Sequence, residues 1–111
     1  MKVNQRELVL ISYPFSNLEL RKVRPALVIS NDLFNTKSDD CIMVPLTTII
    51  KNELYSIVIN QEDLEEGKLL KKSRIRIDKI FSAEKSLVII KIGKLNENVF
   101  ERVIGEISSI F

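Results

Sequence analysis

Apolar and polar positions form short strand-like runs through most of the chain, and only the last stretch takes a helical period. Leu8-Val9-Leu10-Ile11-Ser12-Tyr13 is apolar and β-branched until Pro14 stops it, which predicts a first strand. Residues 14–23, with Ser16, Asn17 and several charges, read as a mobile connection to a second strand over Pro25-Ala26-Leu27-Val28-Ile29-Ser30. Asn31-Asp32 is expected to turn the chain. Polar residues 36–40 lead into a third strand over residues 41–47, and Tyr55-Ser56-Ile57-Val58-Ile59 supplies a fourth before an acidic loop over residues 62–67. A fifth strand is predicted for Ser73-Arg74-Ile75-Arg76-Ile77-Asp78-Lys79-Ile80, whose alternation sends Arg74, Arg76 and Asp78 to one face. Residues 87–92 give a sixth strand, closed by Gly93.

From Asn96 the period changes. Val99, Phe100, Val103, Ile104, Ile107 and Phe111 fall on one helical face, with Asn96 as N-cap, Glu97 at the positive dipole end and Leu95 placed to staple against Phe100. Short strands followed by one amphipathic helix, without alternating crossover helices, predict a mainly β (α+β) barrel rather than a doubly wound sheet. With 111 residues and no internal repeat or low-complexity linker, residues 1–111 are expected to form one domain.

Charge refines this picture only locally. The formal net charge is +2, but residues 65–94 hold 9 basic and 4 acidic side chains, a concentration suited to an anionic ligand in one groove or, equally, to a solvated lysine-rich loop. The one cysteine, Cys41, lies in the apolar run Cys41-Ile42-Met43-Val44 and reads as a small buried hydrophobe. The N-terminal residues show no apolar signal region, and no apolar run is long enough for a membrane span, so a cytoplasmic protein without a membrane role is expected.

The most restrictive feature is the lack of histidine, which excludes Ser-His-Asp and Cys-His catalysis and histidine-ligated metal sites. Gly67, Gly93 and Gly105 are too scattered for a phosphate-binding loop. RNA cleavage remains feasible with such a set, because the substrate's own 2′-hydroxyl can be the nucleophile. The protein then needs a proton acceptor, a proton donor for the leaving 5′-oxygen, and fixed positive charge where the phosphorane develops, a task that suits arginine.

Particular segments sharpen this. Residues 7–16 and Val23-Arg24-Pro25-Ala26-Leu27-Val28-Ile29-Ser30-Asn31-Asp32 resemble the opening of the MazF/PemK family of type II toxin–antitoxin endoribonucleases, with its arginine-proline pair entering the second strand. Val44-Pro45-Leu46-Thr47 resembles the family's threonine segment, residues 73–80 its arginine-x-aspartate strand, and Lys91-Ile92-Gly93-Lys94-Leu95 the approach to its last helix. The motifs occur in family order along nearly the whole chain.

The resemblance implies a small SH3-like β-barrel with a C-terminal helix (MazF/PemK/CcdB-like). It also implies a homodimer that cuts single-stranded RNA without metal or cofactor, leaving a 2′,3′-cyclic phosphate or 3′-phosphate and a 5′-hydroxyl. A cognate antitoxin is the implied protein partner, with promoter DNA bound only through the antitoxin complex. By the same resemblance Arg24 and Thr47 are catalytic, and Arg76 and Asp78 form an acid–base pair. Arginine hardly releases its proton, so Asp78 is the more plausible base and Arg76 the phosphate clamp, against the plain alternative of a structural Arg76–Asp78 ion pair. Ser16, Asn17, Lys22, Thr48, Lys51, Arg74 and Lys79 are the expected RNA contacts, and Thr48 is an adjacent alternative to Thr47.

The chain departs from many relatives in having Glu7-Leu8 where they have a glycine-aspartate pair, and no histidine in the following loop, so a histidine-assisted mechanism is excluded. Two rivals share the fold: a CcdB-like gyrase inhibitor, disfavoured because the chain lacks tryptophan and finishes Ser108-Ser109-Ile110-Phe111, and a catalytically silent binding protein.

Overall fold

The predicted strand runs pair into one antiparallel sheet. The structure, a computed structural model, describes residues 2–14 and 21–111, and of Tyr13, Pro14 and Arg21 the backbone alone; Ser16 and Asn17, expected RNA contacts, lie outside the described residues. The elements run β1 (Glu7–Pro14), β2 (Arg21–Val28), α1 (Asp32–Lys37), β3 (Asp40–Thr47), β4 (Ser56–Ile59), β5 (Leu64–Gly67), β6 (Ser73–Arg76), β7 (Phe81–Glu84), β8 (Val88–Leu95) and α2 (Glu97–Ser108). The sheet order is β4-β6-β3-β2-β1-β8-β5, with β7 paired to β3 beside that path. It is a half-barrel closed by the C-terminal helix, in agreement with the β-rich architecture predicted.

Side-chain alternation gives the sheet two apolar faces. Leu8, Leu27, Val44, Leu46, Ile57, Ile59 and Ile75 face α2, which buries Val99, Phe100 and Val103 against them. Burying each such side chain contributes about 1.5–3 kcal/mol. Asn96 caps α2 as predicted, its side chain accepting from Val99 N at 2.8 Å, and Leu95 and Phe100 share the core cluster. Val9, Ile11, Ala26, Val28, Cys41, Met43 and Val88 fill the opposite face, under Phe81, Ala83 and Leu87. Cys41 is fully buried there, as expected, and burial pushes its thiol pKa up to about 11.

Several boundaries differ from the sequence reading. The connection expected over residues 14–23 is already strand from Arg21, where Pro14 and Tyr13 pair with Arg21 and Lys22. Asn31 begins a helix rather than a turn: its side chain accepts from Phe34 N, and the six-residue α1 is too short to show a helical period. The acidic loop contains β5, paired with β8 through Leu64↔Leu95 and Gly67↔Gly93. Correspondingly β8 runs through Gly93 to Leu95 instead of stopping there.

The fifth strand of the sequence reading, residues 73–80, ends at Arg76. Ile77 and Asp78 form a turn, closed by Lys79 N donating to Arg76 O at 3.2 Å, and a separate strand β7 follows. Arg74, Arg76 and Asp78 therefore do not continue along one strand face. The break has a visible counterpart on β3, where Cys41 and Met43 pair with β7 and Leu46 and Thr47 with β6. Pro45, which has no N–H to give, falls between the two pairings.

Candidate functional site: a basic groove beside Pro45

Where β6 and β7 separate, an open groove of about 620 Å³ forms, lined among others by Arg24, Thr47, Arg76, Asp78 and Lys79. Ile11 and Arg24 are cross-strand partners on β1 and β2, and Arg24 lies two residues from buried Ala26 on the same strand face. Pro25 restricts the backbone of Arg24 to extended conformations, which fixes the point on the groove wall from which its exposed side chain starts. Thr47 is the last residue of β3, the strand paired with β2, and also lines the groove. Arg76 closes β6, and the turn after it carries Asp78 and Lys79 over the groove.

The hydrogen bonding inside the groove is incomplete in an informative way. Arg76 Nε is buried and has no hydrogen-bond partner, leaving a charged donor for which a phosphate oxygen is a fitting acceptor. No ion pair joins Arg76 to Asp78 among the described residues, so the plain alternative of a structural pair is not what the geometry contains. Thr47 Oγ1 accepts from Ile49 N at 3.1 Å, which occupies a lone pair and leaves the hydroxyl proton for donation elsewhere. Thr48, its neighbour and alternative, is exposed and does not line the groove.

Other expected RNA contacts lie outside it. Lys22 is exposed on β2, and Lys51 is exposed and reaches Glu53 at 4.0 Å. Arg74 is only 4% exposed: Nε donates to Ile49 O at 3.1 Å and Nη1 to Glu53 Oε2 at 3.2 Å. It is committed to the protein, which corrects its expected role as a direct RNA contact. Sequence reasoning passed over the apolar lining, in which Ile49, Ile80 and Phe81 offer surfaces for base contact; the exposed Ile49-Ile50 step in a polar loop was the available signal. Among the described residues no three His, Cys, Asp or Glu side chains gather as a metal site, and no helix is long and apolar enough to cross a membrane.

Residues 4–111 match the family of PemK-like, MazF-like toxins of type II toxin–antitoxin systems. The chain belongs to that family. No curated protein sequence matches it, but its fold has solved counterparts. A MazE–MazF complex from Deinococcus radiodurans is similar with a TM-score of 0.82 at 18% identity, over 99% of this chain and 96% of that one. MazF alone from the same organism gives 0.79 at 20% identity, over 99% and 96% of the two chains. An endoribonuclease in complex with its cognate antitoxin, from a mycobacterial species, gives 0.79 at 14% identity, over 96% and 92%. This toxin thus shares the MazF half-barrel at low sequence identity. The residues that resemble the family's arginine-proline and arginine-x-aspartate motifs line the same groove of about 620 Å³.

Proposed function

We propose that this toxin is an endoribonuclease that cuts single-stranded RNA in the groove between Arg24, Thr47, Arg76 and Asp78. The observation that carries the reading is their convergence. Residues from β2, β3, β6 and the following turn line one cavity of about 620 Å³, and a buried arginine donor there lacks a partner.

The RNA backbone enters with a phosphate between Arg24 and Arg76. Asp78 accepts the proton of the 2′-hydroxyl as its oxygen attacks the adjacent phosphorus. Arg24 and Arg76 meet the charge that develops on the non-bridging oxygens, and Thr47 donates a hydrogen bond to one of them. The 5′-oxygen leaves with a proton from solvent water in the open groove, and Asp78 returns the 2′-proton to solvent between turnovers. The products are a 2′,3′-cyclic phosphate, or the 3′-phosphate from its hydrolysis, and a 5′-hydroxyl. The nucleophile belongs to the substrate and arginine supplies the charge, so the reaction proceeds without metal.

The related complexes with an antitoxin support a cognate antitoxin as partner. A cognate antitoxin covers the groove with an extended acidic segment, and promoter DNA is reached only through that complex in the cytoplasm. A second copy of the chain completes the toxin. The half of the sheet beyond α2 supports this, because Leu10 pairs with Pro25 and Ile90, and Val23 and Ile90 on that face are 55% and 52% exposed.

The test is to incubate wild type and Arg24→Ala with a long single-stranded RNA in EDTA and map the cut ends. Metal-independent cuts with cyclic or 3′-phosphate ends, lost in Arg24→Ala, are expected. Absence of cleavage by folded wild type across diverse sequences would overturn the reading in favour of a binding or gyrase-directed role.

A further inference from the structure

Arg74 is a charged side chain that the reaction above does not use, yet it is almost fully buried and two of its nitrogens hold specific partners. Thr47 and Arg74 are Cα partners across β3 and β6. Arg74 Nε holds Ile49 O at 3.1 Å, while its Nη1 holds Glu53 at 3.2 Å, so the exposed segment after Thr47 is tied back onto β6 at two points. The same Ile49 gives its N–H to Thr47 Oγ1 at 3.1 Å, and its side chain lines the groove. Further along, Tyr55 takes a left-handed backbone (φ 57) and its carbonyl accepts from Ile77 N at 2.9 Å, beside the turn of Asp78.

We infer that Arg74, braced by Glu53, is a positioning residue for the groove: it fixes Ile49, and Ile49 N–H orients the Thr47 hydroxyl so that its proton points to the scissile phosphate. The inference rests on the RNA-cleavage reading. The geometry favours it over direct phosphate contact, because the Arg74 donors already serve Ile49 and Glu53, and an arginine fork spans a carbonyl and a carboxylate where lysine, a point charge, holds one.

The chemistry is tested with Arg74→Met, Arg74→Lys and Glu53→Gln on a defined RNA substrate. Arg74→Met is expected to lower kcat by about 10- to 100-fold with little change in KM, since small misplacements of catalytic groups cost this much. Arg74→Lys should recover part of that loss and Glu53→Gln should lose less, in the same direction. In a Thr47→Val background Arg74→Met should add little, because both changes remove the same oriented hydroxyl. A kcat equal to wild type in both Arg74→Met and Glu53→Gln overturns the proposal. So does tighter RNA binding by Glu53→Gln with weaker binding by Arg74→Met, the pattern of an arginine that contacts phosphate itself. Amide hydrogen exchange over residues 48–54, read without RNA, separates the two readings: wild type inactive on RNA sinks the cleavage function, while unchanged exchange in Arg74→Met sinks the positioning role on its own.

Discussion

Thr47 and Arg74 face each other across β3 and β6, and their environments have diverged: Thr47 lines the groove, while Arg74 lies beneath the loop that Thr47 begins. Alternation had placed Arg74 and Arg76 together as two phosphate-seeking arginines. A carboxylate six residues beyond Thr47, Glu53, separates their roles, since it turns one arginine into a brace while the other keeps an unfilled donor. Groove chemistry therefore concentrates on Arg24, Thr47, Arg76 and Asp78.

Among those residues the losses should differ in kind. Asp78→Asn removes the proposed proton acceptor and should lower kcat by about 10²–10⁴-fold. Thr47→Val removes one neutral donor and should cost about 10–10³-fold, no more than a single oxyanion donor elsewhere. Both lie at the groove and outside the apolar clusters, so thermal unfolding should stay within a few degrees of wild type. Single-turnover cleavage of a defined RNA measures the rates; an Asp78→Asn variant as fast as wild type would remove Asp78 from the chemistry.

Gly67 should tolerate no side chain. It has φ +83, and a Cβ there would stand 2.2 Å from Ile92 O and 2.4 Å from Gly93 Cα. Gly67→Ala must push β5 off β8, and a loss of about 2–4 kcal/mol is expected, combining the left-handed backbone with a backbone clash. Urea unfolding reads it, and Gly105→Ala, whose Cβ meets nothing within 4 Å, serves as the control expected to stabilise α2 slightly.

These two glycines also show where the sequence was legible. Long runs such as β1 and β3, and the capped period of α2, carry enough residues for their pattern to dominate, and they appear in the structure where the pattern puts them. β5 does not, because Leu64-Glu65-Glu66-Gly67 is an exposed edge strand whose pairing depends on a glycine facing it across β8 and on lysines of that strand. β7 was hidden by the continuous alternation of residues 73–80, since the break comes from a change of partner along β3, which is a tertiary event. At the groove, resemblance to the family's motifs named Arg24, Thr47, Arg76 and Asp78, whereas the tie of Arg74 to Glu53 joins residues remote in sequence and is silent in any local pattern.

Lys91 and its two carboxylates should respond unequally to mutation. Glu7 is only 5% exposed, takes the Asn4 N–H at 2.8 Å, and has Lys91 Nζ at 3.4 Å, whereas Glu66, at 2.8 Å from the same ammonium, is open to water. The hydrogen bond from Lys91 holds the Glu66 carboxyl below its usual value and raises Lys91 in turn. Lys91→Met strands a buried carboxylate and should cost about 1–3 kcal/mol, while Glu66→Gln removes only a solvent-screened pair and should cost clearly less. Chemical denaturation of the two variants decides; equal effects would mean that Glu7 finds another partner.

Cys41 gives the protein an alkaline limit with a defined sign. Burial is the main cause that raises its thiol from 9.0 to about 11, so the folded state keeps a proton that the unfolded state releases first. The stabilising contribution is complete below about pH 9 and is lost as pH rises toward about 11. At about 1.4 kcal/mol per unit, the loss over that window is on the order of 1–3 kcal/mol. Urea titrations at pH 8 to 11, as rough bounds of the window, should therefore show a decline that Cys41→Ala partly abolishes, against a lower baseline from the small cavity it leaves. The same burial predicts that a thiol reagent labels the native protein only through unfolding; labelling at the rate of a free thiol would show that the strand pair β3 and β7, which covers Cys41 through Ala83, opens in the native state.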